Sequence, residues 1–143
     1  MNDCGICLTG AEDCVSEFCS ASTRTARKEH TCCECGKTIQ SGERYERSAG
    51  KTDGDIWTFS TCLICAEIAN AFYCGARYYG GILWDEMQDY AFAEMTTGCL
   101  KRLASAAAKA ELMRRWNEWK FAPPSPDSAR ARGVKDFLVA NRA

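Results

Sequence analysis

Three Cys-x-x-Cys pairs fall in the first half of the chain: Cys4/Cys7, Cys32/Cys35 and Cys62/Cys65. A thiolate pair at this spacing offers two sulfurs to one ion, and two such pairs complete the tetrahedral shell of zinc. Gly36 directly follows the second pair, and the third opens an apolar run over Cys65–Phe72. The cysteines number eleven, so an all-disulfide scheme would leave one unpaired. The amino-terminal MNDCGICLTG has no basic region leading into an apolar block, so a signal peptide is not expected. Thiols in a chain without an export signal stay reduced, which makes them metal ligands before disulfides and places the protein in the cytoplasm. No apolar stretch reaches the roughly 18 residues of a membrane span, so no membrane partner is expected.

The 143 residues suit one ordinary domain, or one small module with a helical extension. Residues 1–29 read as an irregular segment that a metal staples in place; residues 30–81 as a zinc module; residues 82–121 as a helical extension; and residues 122–143 as a Pro-containing linker and basic tail. Within the module, Glu43–Ala49 alternates as a strand with Tyr45 and Arg47 on one face. Gly50–Asp55 contains Asp-Gly and reads as a turn. Ile56–Ser60, rich in β-branched and aromatic residues, is the returning strand. Thr61 then serves as N-cap for a helix over Cys62–Phe72. Further on, Leu83, Met87, Tyr90 and Ala91 give Ile82–Met95 a helical stripe. A longer helix is expected over Leu100–Phe121, with Leu103, Ala106, Ala110, Met113 and Trp116 as its apolar stripe. Pro123, Pro124 and Pro126 end it, and Val134–Val139 reads as a short helix. The expected class is α+β.

A knuckle, a β-hairpin and a helix with Cys-x-x-Cys in its first turn resemble the treble-clef zinc finger over residues 30–73. The resemblance implies Cys32 and Cys35 as knuckle ligands, with Cys62 and Cys65 as ligands at the helix start. A knuckle turns backbone N–H groups toward the sulfurs, and Gly36 tolerates the dihedrals this requires. Four thiolates close the zinc shell, leaving no position for substrate. Cys4 and Cys7 suggest a second zinc, with Cys14 and Cys19 as local partners or His30, Cys33 and Cys74 as distant ones. Neighbouring extended residues point to opposite faces, so Cys33 can face a different ion from Cys32. The preferred second set is Cys4, Cys7 and Cys33, with His30 or Cys74 as fourth ligand. Cys14, Cys19 and Cys99 otherwise read as small buried residues.

A wider resemblance joins the first. The run TARKEHTCCECGKTIQSGERYERSAGKTDGDIWTFSTCLICAEIANAF is similar to small proteins of tailed phages and prophages. It implies a bacterial cytoplasm and a mobile-element origin, but no reaction.

Catalysis is not expected. The only histidine, His30, is followed by Thr31 and Cys32, so neither the deaminase pattern nor a two-histidine protease site is present. No phosphate-binding loop or nucleophile elbow appears. Charge is uneven: residues 1–100 hold eight Lys/Arg against fifteen Asp/Glu, a balance of −7, and residues 101–143 hold ten against four, a balance of +6. The partner expected first is a host protein complex, docked through Trp84, Asp85, Glu86 and Asp89 with Tyr78, Tyr79, Tyr90 and Phe92 nearby. Inhibition of a defence system, as an anti-CRISPR protein would do, or of transcription is its concrete form. The alternative is a nucleic-acid-binding regulator. It would use Lys101, Arg102, Lys109, Arg114 and Arg115 on the long helix, with Arg24, Arg27, Lys28, Arg44, Arg47 and Lys51 near the knuckle and Tyr45, Trp57 and Phe59 as stacking rings. Homo-oligomerisation through Trp116 and Trp119 is also open.

Overall fold

A computed structural model describes residues 4–8, 18–73 and 81–121. Expectations for Cys14, Cys74, Tyr78, Tyr79 and residues 122–143 lie outside the described residues. In chain order the elements are β1 (Phe18–Thr25), β2 (His30–Thr31), β3 (Thr38–Ile39), β4 (Arg44–Thr52), β5 (Asp55–Cys62), α1 (Leu63–Phe72), α2 (Leu83–Glu86), a π-helical turn (Met87–Ala91), a 3₁₀ segment (Thr97–Arg102) and α3 (Ala106–Phe121). The protein is α+β, as its sequence pattern predicts. It divides into two units, residues 9–84 and residues 1–8 with 85–143.

In the first unit, β4 and β5 form an antiparallel hairpin whose register runs from Tyr45↔Cys62 to Thr52↔Asp55. Asp53 and Gly54 turn the chain, both with positive φ (51° and 84°). That is the two-residue turn whose twist matches the flanking strands. The strands outrun the expected Glu43–Ala49 and Ile56–Ser60, because the tight turn lets pairing continue to its base. The sheet also holds a third strand. The sequence predicts an irregular segment here, yet β1 pairs with β4 from Phe18↔Lys51 to Thr25↔Arg44. Its residues 20–25 are exposed, so the strand exists through backbone pairing and leaves no apolar alternation to detect.

α1 packs on β4 and β5. It buries Cys65, Ala66, Ile68, Ala69 and Phe72, the spacing of one helix face. Its N-cap is Cys62, one residue after the expected Thr61, and the Cys62 sulfur accepts from the Cys65 N–H. Thr61 is instead fully buried, with its hydroxyl 3.4 Å from the Cys33 sulfur.

In the second unit, the expected stripe of the Ile82–Met95 helix is only partly kept. Met87 and Ala91 are buried, but Tyr90 is 64% exposed. The π-helical turn, closed by a Phe92 N–H bond to the Met87 carbonyl, inserts one residue per turn and rotates Tyr90 outward. α3 begins at Ala106 rather than Leu100. Leu103 is extended, and the Ser105 hydroxyl accepts from the Ala108 N–H at 3.1 Å, the geometry of a serine N-cap. Its buried face is Ala108, Leu112 and Trp116 at i, i+4 and i+8; Ala106 and Ala110 of the expected stripe are exposed, and Leu103, buried on extended backbone before the helix, does not share its phase. Trp116 donates through Nε1 to the Phe92 carbonyl at 3.1 Å, and Phe92 meets the Trp119 ring at 5.8 Å. These two tryptophans therefore serve the unit's own packing, where the sequence had suggested a self-association face.

Candidate metal centre

Cys32 and Cys35 flank a turn made by two backbone bonds, Gly36 N–H to the Cys32 carbonyl at 2.9 Å and Cys32 N–H to the Lys37 carbonyl at 2.8 Å. Gly36 has φ +75°, so the glycine after the pair is a conformational requirement of the knuckle. Cys62 ends β5 and Cys65 lies in the first turn of α1. The sulfurs of Cys32, Cys35, Cys62 and Cys65 lie within 4.8 Å of one another, placed to hold one metal ion. Among the described residues, no other set of three or more ligand-type side chains comes together.

The backbone prepares these sulfurs for negative charge. The Cys62 N–H points at the Cys32 sulfur at 3.3 Å and the Cys65 N–H at the Cys62 sulfur at 3.5 Å, the second of these at a helix N-terminus. Crowding resists full ionisation in the absence of a cation. The Cys32 thiol is pulled far down by hydrogen bonds from the Cys62 and Cys65 side chains, and Cys62 is pushed up to about 12 by its pairing with Cys32. Cys65 is also driven up, first by the bond to Cys32, while the Trp84 indole opposes that rise. A divalent cation removes the conflict by letting every sulfur bind as thiolate. Cys32 and Cys65 are each 1% exposed, while Cys35 and Cys62 are half-buried, so each pair offers one covered and one partly accessible sulfur.

Glu34, between the knuckle cysteines, extends the centre's influence. Its carboxylate accepts from the Gly81 N–H and, at 2.7 Å, from the Leu83 N–H, which opens α2. The sequence offers no sign of this role, because the partner amides lie 47 and 49 residues away.

The expected second ligand set is corrected. Cys4 is bonded to Cys99, and Cys7 is disulfide-bonded as well, so neither has a thiolate to offer an ion in this state. Cys33 donates its backbone N–H to the Ser60 carbonyl at 2.9 Å and turns its sulfur to Thr61 and Glu34. His30 stacks on Tyr45 with ring centroids 4.8 Å apart. The Cys4–Cys99 bond spans 95 residues and had no signature in the spacing.

The expected partner residues fare unevenly. Trp84 is only 6% exposed and lies by the metal centre, so it is a packing residue and not a docking one. Asp85 is exposed, and Glu86 and Asp89 are half-buried. On the basic helix, Arg114 bonds Glu111 and Glu118 at 2.6 Å and Arg115 bonds Glu111 at 2.7 Å. Arg102 donates to the Ile6 carbonyl at 2.5 Å and to the Cys4 sulfur at 3.5 Å. Only Lys101 and Lys109 of that group remain exposed without an ion pair among the described residues. The other basic group is gathered. Arg24, Arg27, Lys28, His30, Tyr45 and Arg47 line one cavity of about 860 Å³.

No helix of the described residues is long and apolar enough to cross a membrane. No protein family matches the chain, and no curated protein or solved structure matches it either.

Proposed function

We propose that this chain is a non-catalytic module, held together by one structural Zn²⁺, that works by binding another macromolecule. The observation that carries the reading is the all-cysteine centre. Four sulfurs at the junction of knuckle and helix suit zinc over calcium or magnesium, which take oxygen ligands. A shell filled by four protein sulfurs leaves no position at which substrate can bind. What the centre supplies is a rigid scaffold, and function then resides on the surfaces it holds.

The partner inferred first is a host protein complex. It rests on the resemblance of the sequence to small phage proteins alone, with inhibition of a defence system or of transcription as its proposed form. Tyr90, turned out on the π-helical turn and 64% exposed, supplies an aromatic ring of the kind enriched where partner proteins dock. A second reading, nucleic-acid binding, is favoured by a separate observation. Among the described residues, Arg24, Arg27, Lys28 and Arg47 gather in one cavity on the zinc module, whereas Arg114 and Arg115 of the basic helix are paired internally.

Two measurements test the proposal. Freshly purified protein carries about one zinc per chain by mass spectrometry, and a value well below that overturns the scaffold. Affinity capture from a bacterial lysate, beside oligonucleotide binding across a salt series, separates the partner classes. Tight binding with a steep salt slope removes the simple protein-effector reading.

A further inference from the structure

We infer that the cavity beside the knuckle binds a single-stranded nucleic acid, with Arg24, Arg27, Lys28 and Arg47 on its phosphates and the His30–Tyr45 ring pair beneath a base. The inference rests on the second reading of function and adds a place and a ligand geometry to it.

The strand register brings the cations together. Arg24 stands opposite Tyr45 and Ser22 opposite Arg47 on the paired β1 and β4. Alternation places Arg24, Ser22, Tyr45 and Arg47 on one face of the sheet, while Glu46 belongs to the other. Arg24 is tied only to a neutral group, the Ser22 hydroxyl at 3.1 Å. None of the four cations forms an ion pair among the described residues. Gathering like charges without counter-charges works against folding, so the arrangement fits an anion that arrives from outside.

The loop carrying Arg27 and Lys28 is held in advance. The Ala26 N–H bonds the Glu43 carbonyl and the Gly42 N–H bonds the Ala26 carbonyl, both at 2.8 Å, and the Ser41 hydroxyl donates to the Arg27 carbonyl at 3.3 Å. Two cations on a pinned loop and two on a sheet face form two walls. Half-buried His30 lines the same cavity, stacked at 28° on the buried Tyr45 ring, so the imidazole is the π surface left for a base to meet. Cationic walls with an aromatic floor suit a flexible strand that splays its bases, and offer little to a duplex whose bases are already stacked. The acidic overall balance does not oppose this, because screening confines each charge's influence to about 8–10 Å at physiological salt. Glu29 is the exposed carboxylate nearest in sequence, and it does not line the cavity.

The test uses the zinc-loaded full chain and labelled 20-nucleotide single strands and matching duplexes, followed by fluorescence anisotropy from low to moderate salt. The wild type binds single strands more tightly than duplex, with a log–log salt slope of about −2 to −3, from three or four phosphate contacts at about 0.7 each. Arg27→Ala with Arg47→Ala weakens binding by about tenfold or more and flattens the slope by about 1.4. His30→Ala weakens binding about fivefold or more with the slope unchanged, separating stacking from charge. Lys101→Ala with Lys109→Ala changes neither. Unchanged zinc content and circular dichroism establish that each variant is folded. Absence of binding by the wild type to either nucleic acid overturns the nucleic-acid reading and the site with it. Binding that survives the cavity substitutions, or that is lost with the helix lysines, overturns the site and leaves that reading standing. Preference for duplex overturns the single-strand assignment. Displacement by polyglutamate at equal charge concentration overturns it in favour of an acidic protein segment.

Discussion

Cys62→Ser is the substitution that best isolates the metal's contribution. Cys62 has two roles: its sulfur belongs to the four-sulfur cluster, and it caps α1 by accepting from the Cys65 N–H. Serine is among the strongest N-caps, so the helix start keeps its local support, worth about 1 kcal/mol. The lost thiolate is the effect that remains. Structural zinc contributes about 10–16 kcal/mol in modules of this kind, or about 2.5–4 kcal/mol for each of four thiolates if shared evenly. Zinc affinity should therefore fall by about 10²–10³-fold. A loss of 2.5–4 kcal/mol is a large share of the roughly 5–15 kcal/mol that separates folded from unfolded domains. The hairpin, whose β5 ends at Cys62, should then melt cooperatively at a lower temperature. The assay is competition with a chromogenic zinc chelator, read beside a thermal melt followed by circular dichroism. Cys33→Ser, one residue from the knuckle ligand Cys32 and outside the cluster, is the matched control and should retain wild-type zinc affinity. The reasoning is refuted if Cys62→Ser holds zinc as tightly as the wild type, or if both variants lose it equally.

Other consequences are open to direct measurement. Removing the Cys4–Cys99 bond with Cys99→Ser releases a closure of sequence separation 95, worth up to about 4–5 kcal/mol by chain entropy; the loss should appear in denaturant melts of oxidised protein and vanish when wild type and variant are both reduced. Trp116→Phe leaves the Phe92 carbonyl without its 3.1 Å donor and should cost about 1–2 kcal/mol in the same melts, whereas Trp119→Phe should cost less. The Glu111 carboxyl is held below its usual range, chiefly by hydrogen bonding from Arg114. Its contribution is thus present above the unfolded value of about 4.3 and is lost as pH falls through the lower folded value. Because Arg114 is half exposed, Glu111→Gln should cost only about 0.5 kcal/mol near pH 7, and nothing in strong acid.

The metal centre and its hairpin were legible from residue types because their chemistry is local. Cys-x-x-Cys with Gly36 defines a knuckle, Asp53-Gly54 defines a turn, and the apolar run after Cys62 defines a buried helix face. The features that residue types do not display depend on partners distant in the chain. Residues 20–25 of β1 are all exposed, and pairing with β4 makes them a strand. Cys4 and Cys99 meet across most of the sequence. The start of α3 turns on one serine hydroxyl, and Leu103, left outside the helix, does not mark the face that α3 buries. Tyr90 fitted a 3.6-residue period that the π-helical turn does not keep. The basic residues were visible individually; that Arg24 and Arg47 share a face follows only from the strand register.

The Glu34 carboxylate gives the metal centre a reporter outside its own ligands. It lies between the two knuckle cysteines yet holds the amides of Gly81 and Leu83, so the state of the knuckle is written into the solvent exchange of those two protons. In zinc-loaded protein the Leu83 amide should exchange slowly. Stripping the metal loosens the knuckle and frees the carboxylate, and the same amide should then exchange at the rate of an open turn. Occupancy of the ion can thus be followed at a backbone position 18 residues beyond the last ligand, Cys65, and through it at the first residue of α2.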